Sequence, residues 1–164
     1  MRKILGKALE KMRRERSPMI ESRFYEIIRI LGCPCLACKG LIQKINVRLV
    51  EELIKLEEYI GQELTFNSGR RCEAENARVG GYPNSPHIFG KAVDIIVKGM
   101  SLKGLALICE KFAFLRIGIY PNHIHLDMVT PNPSKFWYVR KYGEAPVYSG
   151  NIKSLDEFFK KLKI

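Results

Sequence analysis

No run in these 164 residues approaches the ~20 consecutive apolar residues that cross a bilayer, so a spanning helix is excluded on composition. The N-terminal stretch MRKILGKALEKMRRERS opens as a signal peptide would. However, Lys7, Glu10 and Lys11 interrupt its apolar residues, and the uninterrupted apolar core of about 7–15 residues that export needs is missing. The chain is therefore expected to be cytoplasmic as synthesised and to reach any outer target by another route. Acidic residues are scarce: 17 Asp and Glu stand against 28 Lys and Arg, for a net charge of +11. Such a surface suits an anionic partner such as nucleic acid, anionic lipid or an acidic polymer. Histidine is rarer still, with three in the chain, and the five cysteines are an odd number. An odd count without an export signal argues against a secreted disulfide framework and for reduced thiols or a metal-bound cluster. There is no internal repeat and no low-complexity segment. The length fits one domain at roughly 100–200 residues per domain.

Residues 2–15 read as a basic helix, part of a stretch over 1–24 with eight Lys/Arg against three Glu. A second helical segment over 19–31 groups Phe24, Ile27, Ile28 and Leu31. Gly32, Pro34 and Gly40 then break the chain around Cys33, Cys35 and Cys38. Residues 1–30 are expected to be a helical extension and 31–164 the main domain. The clearest helix covers 46–60, where Leu49, Leu53, Leu56 and Ile60 repeat at helical spacing while Glu51, Glu52, Glu57 and Glu58 fall mostly outward. Residues 63–67 suggest a strand. From Ser68 to Gly90 the chain is rich in Gly, Asn, Ser, Pro and Arg, and loops of that length usually carry function. Residues 91–97 form a strand, Ser101 caps a helix to about Phe114, and 115–120 and 123–129 are two strands joined at Pro121-Asn122. Ser154 with Glu157 makes a capping box for the last helix.

The histidines gather where this pattern is densest. A two-residue period puts His123, His125 and Asp127 on one face of a strand. Asp94 shares a strand face with Ala92 and Ile96, inside the apolar run Val93-Asp94-Ile95-Ile96-Val97. A carboxylate there is costly unless it is paired or bound to a metal. His87 lies seven residues before Asp94, on the loop. Two imidazoles and a carboxylate are a zinc set that leaves a fourth position for water. Spacing alone leaves open the alternative of scattered surface and structural histidines.

Ser85-Pro86-His87-Ile88-Phe89-Gly90-Lys91-Ala92-Val93-Asp94 resembles the SxHxxGxAxD signature of the D-Ala-D-Ala metallopeptidases. These comprise zinc D-Ala-D-Ala carboxypeptidases, vancomycin-resistance dipeptidases and phage L-alanyl-D-glutamate endopeptidases, with hedgehog signalling domains sharing the fold. Ser68-Gly69-Arg70-Arg71 resembles the family's SGxR, with Asn76 and Gly80-Gly81 in the expected places. Gly118-Ile119-Tyr120-Pro121 and His123-Ile124-His125-Leu126-Asp127 resemble the strand that supplies the last ligand. The likeness covers roughly residues 33–137. It implies an α+β fold, with a small antiparallel sheet bearing the zinc ligands and helices packed on one side. It implies zinc ligation by His87, Asp94 and His125, and an oxyanion-steadying role for Arg71, with Arg70 the alternative if the register slips by one. Ser85 and Tyr82 are expected as substrate contacts, and the resemblance marks His123 as a residue that lines the catalytic site without binding metal.

The general base departs from the pattern. Where many members carry an acid three residues before the last ligand, this chain has Asn122. Asp127 fits the HxD ending of another branch, and two roles are open for it: proton acceptor from the attacking water, or acceptor that orients His125. The cysteine cluster is likewise open, as free thiols or as a structural metal site or cross-link with Cys72 as a fourth member. Trp137 reads as a core or wall aromatic.

These resemblances imply zinc-dependent hydrolysis of a peptide bond in peptidoglycan stem peptides, by a carboxypeptidase or an endopeptidase. A phage-type lysin released by a separate membrane pore is consistent with the missing export signal. Two other classes compete. One is a non-catalytic zinc-binding module of hedgehog kind, motivated by Asn122. The other is a basic nucleic-acid-binding protein using the N-terminal helix and the cysteines, which rests on charge, the weakest of these signals.

Overall fold

Strands of period two sort their side chains between two environments, and four neighbouring segments here do so in register. Val93 and Ile95 point to one face of the sheet, as do Leu126 and Ile124 opposite them, then Ile117 and Ile119, then Phe136. This row is buried and merges with the helices into one core. The other face carries Asp94, His125, Gly118 and Trp137, cross-strand neighbours in that order.

This computed structural model describes residues 18–39, 41, 43–131 and 134–164. The helix expected over 2–15 lies outside them. The described helices are α1 (Pro18–Ile30), α2 (Val47–Ile60), α3 (Glu73–Arg78), α4 (Leu102–Cys109) and α5 (Leu155–Leu162), with a 3-10 turn at Leu36–Cys38. The strands are β1 (Thr65–Ser68), β2 (Ala92–Ile96), β3 (Arg116–Ile119), β4 (Ile124–Asp127), β5 (Phe136–Tyr138) and β6 (Val147–Tyr148), in the sheet order β1-β2-β4-β3-β5-β6. The fold is α+β as expected. The sheet is mixed rather than purely antiparallel, because β5 joins β3 in parallel. β5 returns through the long connection after β4, and a crossover of that kind allows a parallel neighbour where a tight hairpin cannot.

α2 is set by local chemistry. The Asn46 carboxamide oxygen accepts from the Leu49 N–H at 3.0 Å, and Gly61 ends the helix in the left-handed region at φ 77°. Leu49, Leu53 and Leu56 are fully buried under the sheet. Phe24 and Ile27 of α1, Leu105 and Ala106 of α4, and Leu155, Phe158 and Phe159 of α5 complete the same core. Of the four α2 glutamates expected to face mostly outward, Glu52 and Glu57 are buried. Each has a partner that periodicity does not show. Glu52 takes Lys55 at 2.6 Å and the Ala113 N–H at 2.9 Å, while Glu57 takes the Arg23 guanidinium and the Leu64 N–H. Among the described residues no helix is long and apolar enough to cross a membrane.

Candidate metal centre

Asp94 on β2 and His125 on β4 are direct cross-strand partners, so the pleat alone sets a carboxylate beside an imidazole. The His125 Nδ1 lies 2.9 Å from Asp94 Oδ1. The third member comes from the loop. His87 brings its Nε2 to 3.2 Å from His125 Nδ1 and 3.4 Å from Asp94 Oδ1. All three residues are buried. These edges suit a four-coordinate zinc, whose N/O ligands at about 2.0–2.1 Å stand roughly 3.3 Å apart.

The loop finds this position through its own backbone. The His87 Nδ1 donates to the Gly69 carbonyl at 2.6 Å, which leaves Nε2 as the free lone pair, and the Arg71 N–H donates to the His87 carbonyl at 3.1 Å. The segment resembling SGxR therefore orients the first imidazole as well as carrying Arg71. Gly90 closes the turn at φ 63°, and a Cβ there would fall 2.0 Å from the Lys44 carbonyl oxygen, so the position admits only glycine. Asn76 ties off the preceding bend through its side-chain N–H to the Tyr82 carbonyl at 2.8 Å. Arg71 has a buried Nε with no partner in the protein. Arg70 turns instead to the Gln43 side chain at 2.9 Å.

Asp127 stands behind His125. Its Oδ2 accepts from the His125 Nε2 at 3.1 Å, on the opposite edge of the ring from Asp94, and Arg116 forks onto both carboxylate oxygens at 2.8–3.0 Å. The Val129 N–H adds a further bond at 2.9 Å, and Asp127 is fully buried. His123 lies on the same strand face with its Nε2 3.6 Å from Asp94 Oδ1. Its ring stacks on Tyr120 at 4.5 Å, and its Nδ1 meets Asn122 at 2.8 Å and the Tyr142 hydroxyl at 3.2 Å. Asn122 thus serves as a partner of His123. The Tyr142 hydroxyl also donates to Asn122.

Burial disfavours every charge in this cluster, and the outcome at each group depends on its neighbours. At Asp94 the opposing burial is overcome by His125 and His87, which hold the carboxyl far below the usual range. At His125 burial is again overcome, by Asp127 and Asp94 on either edge of the ring, and the imidazole is raised to about 9. At His87 and His123 burial prevails and both are lowered. Burial raises Tyr120, and the nearby Asp94, Tyr148 and Tyr82 add to it.

Tyr82 is 79 % exposed, whereas Ser85 is buried in the turn, where its carbonyl accepts from the Ile88 N–H at 3.0 Å. Trp137 walls the site, its ring 5.3 Å from that of His125 and its indole N–H donating to the Tyr120 hydroxyl at 3.2 Å. The structure also brings Cys33, Cys35, Cys38 and Cys72 together, apart from the histidines. Arg116, Tyr120 and Tyr142 were not anticipated as parts of the site. Arg116 was within reach: a two-residue turn at Pro121-Asn122 pairs Tyr120 with His123, and counting back four residues sets Arg116 opposite Asp127.

No curated protein matches the chain. The family model described as Peptidase M15 matches residues 29–127, which include every residue of the His-Asp-His cluster, Arg71 and Asp127. M15 peptidases are zinc-dependent, and the donor set assembled here fits that metal. The chain belongs to the Peptidase M15 family of D-Ala-D-Ala metallopeptidases.

Proposed function

We propose that this chain hydrolyses a peptide bond in peptidoglycan stem peptides, with zinc held by His87, Asp94 and His125. The observation that carries the reading is convergence. Three donor atoms from a loop and two strands lie within 4.8 Å of one another, beside an arginine whose buried Nε has no partner. Zinc bound there supplies a Lewis acid that acidifies water and polarises a carbonyl.

The chain's own residues do the rest. Arg71 offers its guanidinium to the oxygen on which negative charge develops during attack, where a fixed charge in a water-poor site acts most strongly. His123 takes the proton from the attacking water. Its Nε2 faces the Asp94 side of the cluster, and its other nitrogen is engaged by Asn122 and Tyr142. Asp127 fixes the ring plane and tautomer of His125 and takes no part in proton transfer, because all its close partners lie behind that ring. Tyr82 contacts substrate at the exposed rim, while Ser85 holds the turn that presents His87. The basic surface favours an anionic wall polymer over a neutral peptide.

A non-catalytic zinc module is the competing reading, and Asn122 in the place of an acid is what favours it. Mass spectrometry of defined muropeptides incubated with the zinc-loaded protein separates the two. We expect one pair of new fragments, together heavier than the substrate by one water, whose masses read which bond is cut, terminal or internal, and their loss in His87→Ala. Stoichiometric zinc without release of any peptide from the full set of stem peptides would overturn the enzymatic reading.

A further inference from the structure

Outside the histidine site, a second group of ligand-type side chains converges. Cys33, buried, meets half-buried Cys35, Cys38 and Cys72, with all four sulfurs within 4.8 Å of one another. Cys33 Sγ lies 3.5 Å from Cys35 Sγ, and Cys35 Sγ lies 3.6 Å from Cys72 Sγ. These separations are far beyond the ~2.05 Å of a disulfide. They are close to the roughly 3.8 Å edge of a tetrahedron of sulfurs each about 2.3 Å from a central zinc. Four thiols gathered without a bond between them are left with weak S–H contacts, whereas four thiolates around a soft divalent ion are satisfied.

The backbone around the sulfurs is arranged as thiolates need. The Cys72 N–H points to Cys33 Sγ at 3.3 Å and the Glu75 N–H to Cys72 Sγ at 3.4 Å. The surrounding scaffold is built as well. Gln43 accepts from the Cys33 N–H at 2.6 Å and donates to the Cys33 and Cys38 carbonyls, while Arg70 holds both Gln43 and, through its N–H, the Leu31 carbonyl. Three ligands come from the segment after α1, and the fourth follows Arg71 directly in the chain.

We infer that Cys33, Cys35, Cys38 and Cys72 form a second metal site, a tetrathiolate centre for zinc that is distinct from the histidine site and clasps the Arg71 loop to the segment after α1. The site is structural: all four positions are taken by protein sulfur, so none is left for water or substrate.

The test uses the whole chain, purified under reducing conditions with zinc supplied. Plasma mass spectrometry is expected to find two zinc ions per chain, one for each donor group. It should find one in His87→Ala and one in Cys35→Ser. Reconstitution with cobalt(II) reads the ligands without relying on a cysteine variant to fold. Native protein and His87→Ala should both show strong thiolate-to-cobalt charge transfer in the near ultraviolet, with intense tetrahedral bands in the red. That pair also separates this site from the hydrolytic reading, since the thiolate signal must survive in the variant lacking the first imidazole. A single zinc per native chain that His87→Ala abolishes, a cobalt spectrum with no charge transfer, or a native mass revealing a disulfide among these cysteines would overturn the assignment.

Discussion

Asp127 and Asp94 hold opposite edges of the same imidazole: the His125 Nε2 lies 3.1 Å from Asp127 and its Nδ1 2.9 Å from Asp94. A carboxylate behind a ligating histidine fixes the tautomer and raises the basicity of the nitrogen in front. Asp127→Asn is therefore expected to weaken zinc binding about 10–100-fold. Competition with a chromogenic chelator measures this. Unchanged affinity with lost turnover would instead return Asp127 to the role of base.

His123 is assigned the proton. His123→Ala is expected to lower kcat by about 10²–10⁴-fold while the zinc content stays that of the parent. Steady-state kinetics on a single muropeptide, paired with metal analysis, decides it. Parent-like turnover removes His123 from the chemistry.

Arg71→Ala is expected to reduce kcat by about 10²–10³-fold with little change in KM, because the charge is needed most when the oxyanion forms. Arg71→Lys should recover only part of that loss, since an ammonium lacks the planar fork. A rise in KM alone, with kcat preserved, would mean that Arg71 merely holds substrate.

Gly118 lies between His125 and Trp137 in the sheet, and a Cβ on it would sit 2.3 Å from the Trp137 ring. Gly118→Ala must push the indole off its seat. The expected cost is about 1–3 kcal/mol of stability, with a change in tryptophan fluorescence, since Trp137 is the one tryptophan of the chain. Denaturant melts and emission spectra read both, and an unaltered emission maximum would show that the ring had not moved.

Glu52 links α2 to the turn after α4. Burial pushes its carboxyl up, but Lys55 and the Ala113 N–H outweigh burial and hold it below the ordinary carboxylate value. A folded-state value below the unfolded one contributes stability above the unfolded value, and that stability is lost as pH falls through the folded one. Glu52→Gln should cost about 1–3 kcal/mol at neutral pH and flatten the acid limb of the melting temperature against pH. Parallel acid limbs for parent and variant would show that Glu52 plays no part.

Much of the centre was legible because its residues break local rules. A carboxylate amid Val93, Ile95 and Ile96, and histidines alternating along one strand, are anomalies that only pairing or a metal resolves. The return of the loop was not legible from spacing. It depends on the Gly69 carbonyl meeting His87 and on the Arg71 N–H meeting the His87 carbonyl, contacts between segments with no shared periodicity. β5 and β6 escaped for a related reason. They are two to three residues long, and their pairing with β3 and with each other is set by tertiary packing rather than by alternation. The buried side of α2 differs from its pattern at Glu52 and Glu57 because Ala113 and Arg23 lie far along the chain, and Leu64 lies past the end of the helix where its periodicity no longer applies.

The two-residue turn at Pro121-Asn122 sets more than a bend. Each inward or outward choice along β3 and β4 is counted from it. One residue inserted there would send the imidazole of His125 and the carboxylate of Asp127 into the aliphatic layer and bring Leu126 to the polar side. Among homologous chains, this connection should be intolerant of any change in length, while the surface segment around Gly143 has no such parity to keep.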